Sequence, residues 1–119
     1  MYKWTDGYKV VNMDMTAIIS EFKYEIGKEH EFAGEPVVCN SGFHFYKNIY
    51  EVMPNFLLYG FRYRYFKVRA FYDPNKHAQT LYGEGTKYTS KKIILLEEIP
   101  YEKIVNGFFN IKSDFMEEI

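Results

Sequence analysis

Residues 64–71 read Arg64-Tyr65-Phe66-Lys67-Val68-Arg69-Ala70-Phe71. Two-residue alternation over this span puts Arg64, Phe66, Val68 and Ala70 on one strand face and Tyr65, Lys67, Arg69 and Phe71 on the other. The span lies within the longest apolar-aromatic stretch of the chain, Phe56 to Tyr72. Asp73-Pro74-Asn75 ends it, because proline removes a ladder donor and Asp and Asn supply turn chemistry. A long amphipathic strand at the middle of the chain predicts a sheet-centred domain.

Composition agrees with that reading. Of 119 residues, 11 are Phe, 12 Tyr and 1 Trp, so aromatics make up 20%. With 7 Val, 10 Ile and 5 Thr they far outnumber the helix formers, 4 Ala, 5 Leu and 5 Met. A helical bundle or coiled coil is excluded, and so is disorder, because such a chain can bury much apolar surface. Size scaling gives a folded surface of roughly 6,800 Å² against roughly 21,000 Å² unfolded. Residues 1–119 are therefore expected to form one domain around one core.

On the N-terminal side of the central strand, Tyr2 to Thr5 and Tyr8 to Val11 read as two short strands joined by a turn at Asp6-Gly7. Asn12 to Met15 is a connection, and residues around Ile18 and Ile19 have no clear period. Phe22, Tyr24 and Ile26 alternate with Lys23 and Glu25, predicting a half-buried strand. Gly27-Lys28 turns the chain. Glu29 to Phe32 and Val37 to Cys39 read as two strands around a turn at Ala33-Gly34-Glu35-Pro36. Phe43-His44-Phe45 is extended, and Asn48 is an N-cap for a short helix carrying Ile49, Val52 and Met53.

On the C-terminal side, Lys76 to Ser90 is irregular, with Gly83-Glu84-Gly85 as a flexible tip. Lys92 to Glu97 reads as a buried strand. Pro100 opens a helix through Ile104 and Val105 that Asn106-Gly107 closes. Phe108, Ile111, Phe115 and Ile119 form a helix stripe at the end of the chain. The expected fold class is α+β: a single small domain with a mostly antiparallel twisted sheet and two or three short helices.

Fifteen basic and sixteen acidic residues leave a formal charge of −1. A globally basic nucleic-acid binder is disfavoured, which leaves a local patch as the route to nucleic acid. One cysteine, Cys39, allows no internal disulfide, and no apolar run suits a signal peptide or a membrane span. A cytoplasmic protein without a membrane partner is expected.

Two stretches carry candidate function. In Gly42-Phe43-His44-Phe45, Gly42 allows an unusual backbone angle, Phe43 and Phe45 fill the core, and His44 faces a cleft or solvent. Around the central strand, Tyr59, Arg62, Tyr63, Arg64, Tyr65, Lys67 and Arg69 interleave aromatics with cations. Such a face suits a protein hot spot, or single-stranded nucleic acid held by stacking and phosphate contacts. Cys39 and His44 alone do not fill a zinc site, so no metal is expected.

Phe22-Lys23-Tyr24-Glu25-Ile26-Gly27-Lys28, then Cys39-Asn40-Ser41-Gly42-Phe43-His44, and then Lys92-Ile93-Ile94-Leu95 resemble an uncharacterised domain family of phages and prophages. Members of that family sometimes sit beside pentapeptide repeats. Relatives often place a second cysteine where this chain has Tyr46. The resemblance implies a phage-type accessory protein in the host cytoplasm, non-catalytic and without cofactor. Its partner would be a host or defence-system protein, which it would inhibit through the aromatic-basic surface.

More distantly, Gly42-Phe43-His44-Phe45 followed by the Asn48 helix is similar to a strand-to-helix element of ADP-ribosyltransferases, with His44 in the place of a tyrosine. Tyr2-Lys3-Trp4-Thr5 would stand for the early strand, with Lys3 as its basic residue. Ser90 and Lys91 stand where that family carries a carboxylate, and Glu84 is the nearby substitute. This likeness implies NAD as the bound nucleotide and His44, Lys3 and Glu84 as catalytic residues, since a carboxylate must stabilise the oxocarbenium-like ribose. A nucleic-acid-binding module centred on Arg62 to Arg69 is the third reading.

Overall fold

The computed structural model describes residues 1–51, 60–81 and 85–107. Its strands are β1 (Lys3–Asn12), β2 (Glu29–Glu31), β3 (Tyr63–Tyr72), β4 (Ala78–Leu81), β5 (Gly85–Tyr88) and β6 (Lys92–Ile99). The main sheet has the order β1-β3-β6-β2 with every pair antiparallel, and β4 and β5 form a separate hairpin. The central strand is the one the alternation predicts. β1 pairs along the whole of it, from Lys3 opposite Tyr72 to Asn12 opposite Tyr63.

The two faces of β3 feed two different cores. Phe66, Val68, Ala70 and Tyr72 pack with Val11, Ile93 and Leu95 from neighbouring strands and with Tyr24, Phe43 and Phe45 from the connections. On the opposite face Tyr65 and Val10 pack with Ile49 and Ile104. The Tyr65 hydroxyl is satisfied there, donating to the Gly60 carbonyl at 3.1 Å. The β3–β6 register shifts between Lys67 and Val68, a bulge-like irregularity within the pairing.

Several expectations are corrected. The turn expected at Asp6-Gly7 is absent, and β1 runs straight through it. A Cβ on Gly7 would lie 2.7 Å from the Tyr46 carbonyl oxygen and 2.9 Å from the Phe45 ring. This glycine serves a close approach of chain from elsewhere, not a local reversal. The strand expected over Phe22 to Ile26 is reduced to isolated bridges, Thr16 with Lys23 and Ile26 with Leu95. Of its alternating apolar residues only Tyr24 is buried; Phe22 and Ile26 are exposed.

Val37 to Cys39 is a turn instead of a strand, with Cys39 at φ 65°. The irregular region expected from Lys76 to Ser90 contains the β4–β5 hairpin. β6 is half-buried, with Ile93 and Leu95 inside and Leu96 exposed. Helix content is lower than two or three: the described residues have one helix, 101–107, and 3-10 turns at Ile49–Glu51 and Gly60–Arg62. Val52, Met53 and the stripe from Phe108 to Ile119 lie outside the described residues.

Segment 41–46 crosses between β1 and the hairpin. Tyr8 and Tyr46 exchange both backbone hydrogen bonds, while Phe45 and Phe43 donate to the carbonyls of Tyr88 and Ser90. Side chains reinforce the seam: Thr89 donates to the Ser41 carbonyl and Ser90 to the Phe43 carbonyl. Gly42 enters it at φ 84°, where an added Cβ would meet Thr89 Oγ1 at 2.5 Å, Pro36 Cβ at 2.6 Å and the Ser90 carbonyl oxygen at 2.8 Å. Gly27 has nearly the same φ, 82°, with nothing within 4 Å of its Cβ position.

The pair separates backbone strain from crowding. Gly27→Ala is expected to cost about 1 kcal/mol, the left-handed penalty alone. Gly42→Ala is expected to cost about 2–4 kcal/mol, because crowding adds to the same penalty. Urea unfolding of the two variants checks this, and equal losses would contradict it.

Candidate functional site

Segment 39–46, β1 and the loop from Ala17 to Tyr24 line a cavity of about 690 Å³ that is open to solvent on one side. That volume falls in the range of small-molecule sites, roughly 300–1,000 Å³. Phe22, Tyr24, Phe32, Phe43 and Tyr88 supply aromatic wall, and Ala17, Ile18 and Ile19 aliphatic wall. Among the described residues Lys9, His44 and Lys87 are its titratable nitrogen side chains, and none of the described lining residues is Asp or Glu.

Lys9 is the least expected of these. Strand alternation turns it to the core face of β1, opposite Phe66, and it is only 7% exposed. Its Nζ donates to the His44 carbonyl at 2.5 Å and lies 5.0 Å from the centroid of the Tyr24 ring. Burial pushes the ammonium down to about 7, because a low-dielectric surround disfavours the charged form. The same desolvation raises the Tyr24 hydroxyl, so neither group is ionised cheaply.

His44 is held by the loop that precedes it. The Cys39 N–H donates to His44 Nε2 at 2.8 Å, which places the ring proton on Nδ1. Burial, with the Lys9 and Lys87 charges, lowers this imidazole to about 4, so it is neutral near pH 7. Cys39 itself adopts a left-handed backbone, at φ 65°. The Cys39 thiol itself is exposed and lies 3.9 Å from Gln79 Oε1.

The other sequence candidates are scattered. Lys3 is exposed at the far end of β1, about 20 Å along the strand from Lys9 at 3.3 Å per residue. It does not meet His44. Glu84 and Tyr59 lie outside the described residues. Tyr65 is buried in the second core. Arg64 pairs with Glu98 through two contacts, 3.0 and 2.6 Å, and Lys67 and Arg69 pair with Glu97 and Asp6 at 3.8 and 3.4 Å. Arg62 is exposed with its guanidinium over the Phe61 ring, and Tyr63 is half-buried. Gly42, Phe43, Phe45 and Cys39 do come together, around the cavity.

A second histidine is engaged structurally. His77 Nδ1 accepts from the Asp73 N–H, so Nε2 carries the proton and donates to Glu35 Oε1 at 2.9 Å. The Tyr2 hydroxyl donates to the other carboxylate oxygen at 2.8 Å. Burial and then Glu35 push that hydroxyl up to about 12, and Tyr2 and His77 hold the Glu35 carboxyl below its usual range. The clasp ties the start of β1 to the loop before segment 39–46.

Lys9 was missed in the sequence because a lysine beside valines in a strand reads as a solvated position. The signal available was its parity with Val11, which puts it on the core face. A folded-state value near 7 against about 10.5 unfolded has a consequence for stability. Between those values the unfolded chain holds a proton that the folded chain has released, so stability rises with pH. Relative to Lys9→Met, the wild type is expected to gain about 2 kcal/mol from pH 7 to pH 9. His44 acts with the same sign lower down, its contribution being lost as pH falls from 6.5 towards 4. Denaturant curves for the two proteins check the Lys9 effect, and parallel stability profiles would contradict it.

No curated protein and no solved structure matches the chain. A family model, described as a domain of unknown function, DUF7666, matches residues 5–107. The matched span runs from within β1 to the end of helix 101–107 and contains the whole cavity lining. The chain therefore belongs to the DUF7666 family.

Proposed function

We propose that the domain is a non-catalytic binding module that holds a small, largely apolar ligand in the cavity beneath segment 39–46. One observation carries the reading: a cavity of about 690 Å³ with mainly aromatic and aliphatic walls has a buried lysine amine in its lining. Apolar wall supplies affinity at roughly 25 cal/mol per Å² removed from water. A few polar groups, here Lys9, His44 and Ser41, fix orientation. Among the described residues no carboxylate lines the cavity beside Lys9 and His44 to complete an acid–base set, which favours binding over turnover.

A second reading keeps the protein as a phage-type accessory factor that docks on a host or defence protein. It is supported by the exposed Phe61 with the Arg62 guanidinium 5.6 Å from its ring centroid, beside the start of β3. Aromatic and arginine side chains of this kind anchor interfaces. The ion pairs of Arg64, Lys67 and Arg69 narrow such a surface to its Phe61–Arg62 end.

The neutral fluorophore N-phenyl-1-naphthylamine tests the first reading. One-to-one saturable binding in the micromolar range is expected, weakened at least tenfold by Ala17→Phe and by Ile18→Trp, which fill the cavity. A Phe61→Ser/Arg62→Ser variant is expected to bind the dye like wild type. Failure of the folded wild type to bind, or binding indifferent to both cavity substitutions, would refute the proposal.

A further inference from the structure

We propose that the cavity takes an organic acid: an apolar or aromatic body bearing one carboxylate, with Lys9 Nζ as the partner of that carboxylate. The inference rests on the cavity reading and names the ligand chemistry of the same site.

The polar groups at the cavity are rich in donors. An ammonium carries three N–H donors, whereas Lys9 makes one hydrogen bond among the described residues, to the His44 carbonyl. The Cys39 N–H occupies His44 Nε2, leaving the ring with an N–H donor at Nδ1. Ser41 Oγ accepts the Val37 N–H at 3.0 Å, so its own O–H is also a donor. A ligand group that accepts several hydrogen bonds matches this set, and one that donates does not.

Charge selects further. The titratable side chains that line the cavity with Lys9, among the described residues, are Cys39, His44 and Tyr46 from segment 39–46, Lys87 and Tyr88 from β5 and Tyr24 from the loop after β1. β3 presents Phe66 opposite it. The described lining residues include no Asp or Glu, so a cationic ligand would meet no carboxylate among them. A carboxylate would instead pair with a buried ammonium, the geometry in which a charge-assisted hydrogen bond is strongest. Tyr24 and Phe22, 4.9 Å apart and edge-on, sit on the wall against which the ligand body would lie.

Pairing also moves a proton. Burial leaves Lys9 partly neutral at pH 7.5, and a carboxylate arriving beside it stabilises the ammonium. Binding the ionised acid therefore draws a proton from solvent onto Nζ. No covalent bond forms or breaks at the ligand.

The test is a matched pair of probes, naphthalene-1-acetate and naphthalene-1-acetamide, competed against N-phenyl-1-naphthylamine at pH 7.5. The acid is expected to bind at least 10-fold more tightly than the amide to wild type. Lys9→Met is expected to bind both equally, while Lys87→Met keeps the preference. Titration calorimetry of wild type in two buffers of different ionisation enthalpy is expected to show uptake of about 0.7 proton with the acid and none with the amide. This measurement does not depend on the folding of any variant. Equal binding of acid and amide, or no proton uptake, overturns the carboxylate assignment while the cavity reading stands. Binding of neither naphthalene probe nor the fluorophore overturns both.

Discussion

The seam formed by segment 41–46 is the constraint on which the rest of the molecule depends. A single extended stretch bonds to β1 on one side through Tyr8 and Tyr46, and on the other to the end of β5 and the link after it through Tyr88 and Ser90. Phe43 and Phe45 alternate with His44 along it, so both phenylalanines enter the main core and the histidine is left beside the cavity. Two glycines permit the approach. Gly7 gives way to the Tyr46 carbonyl, and Gly42 adopts a left-handed angle in a space closed by Thr89 and Pro36. Without that close contact β1 would lack its outer neighbour and the cavity its floor.

The same contact explains why a lysine can face inwards. The His44 carbonyl lies where Lys9 can reach it, and the Tyr24 ring offers a π face to the charge. These partners compensate a buried cation only in part, which is why the amine becomes a weaker base. The incomplete compensation is itself the basis for reading the cavity as a ligand site. A fully satisfied ion pair, such as Arg64 with Glu98 on the other edge of β3, would offer a ligand nothing.

What the residues announced locally was legible, and what depended on distant chain was not. β3 and the burial of Phe66, Val68 and Ala70 follow from two-residue alternation, and the 101–107 helix from Pro100 and its closing Asn106-Gly107. Asp6-Gly7 carries a turn signal, but the glycine answers to Tyr46, 39 residues away. Phe22, Tyr24 and Ile26 alternate like a strand, yet their backbone finds partners one bridge at a time and only Tyr24 turns inwards. The hairpin over 78–88 escaped notice because its sequence is polar and lacks an apolar period. At the site, Gly42 to Phe45 stood out by composition; Lys9, Tyr24 and the aliphatic loop around Ile18 required the sheet register to join them.

The character of the cavity turns on the state of one amine. Selective carbon-13 labelling of lysine and a titration of the Cε resonances would report each side chain separately in the folded protein. One resonance, absent from Lys9→Met, is predicted to titrate with a midpoint near 7, well below the ordinary lysine range. If every lysine instead titrated near 10.5, Lys9 would be a solvated cation and the cavity would have no buried anchor.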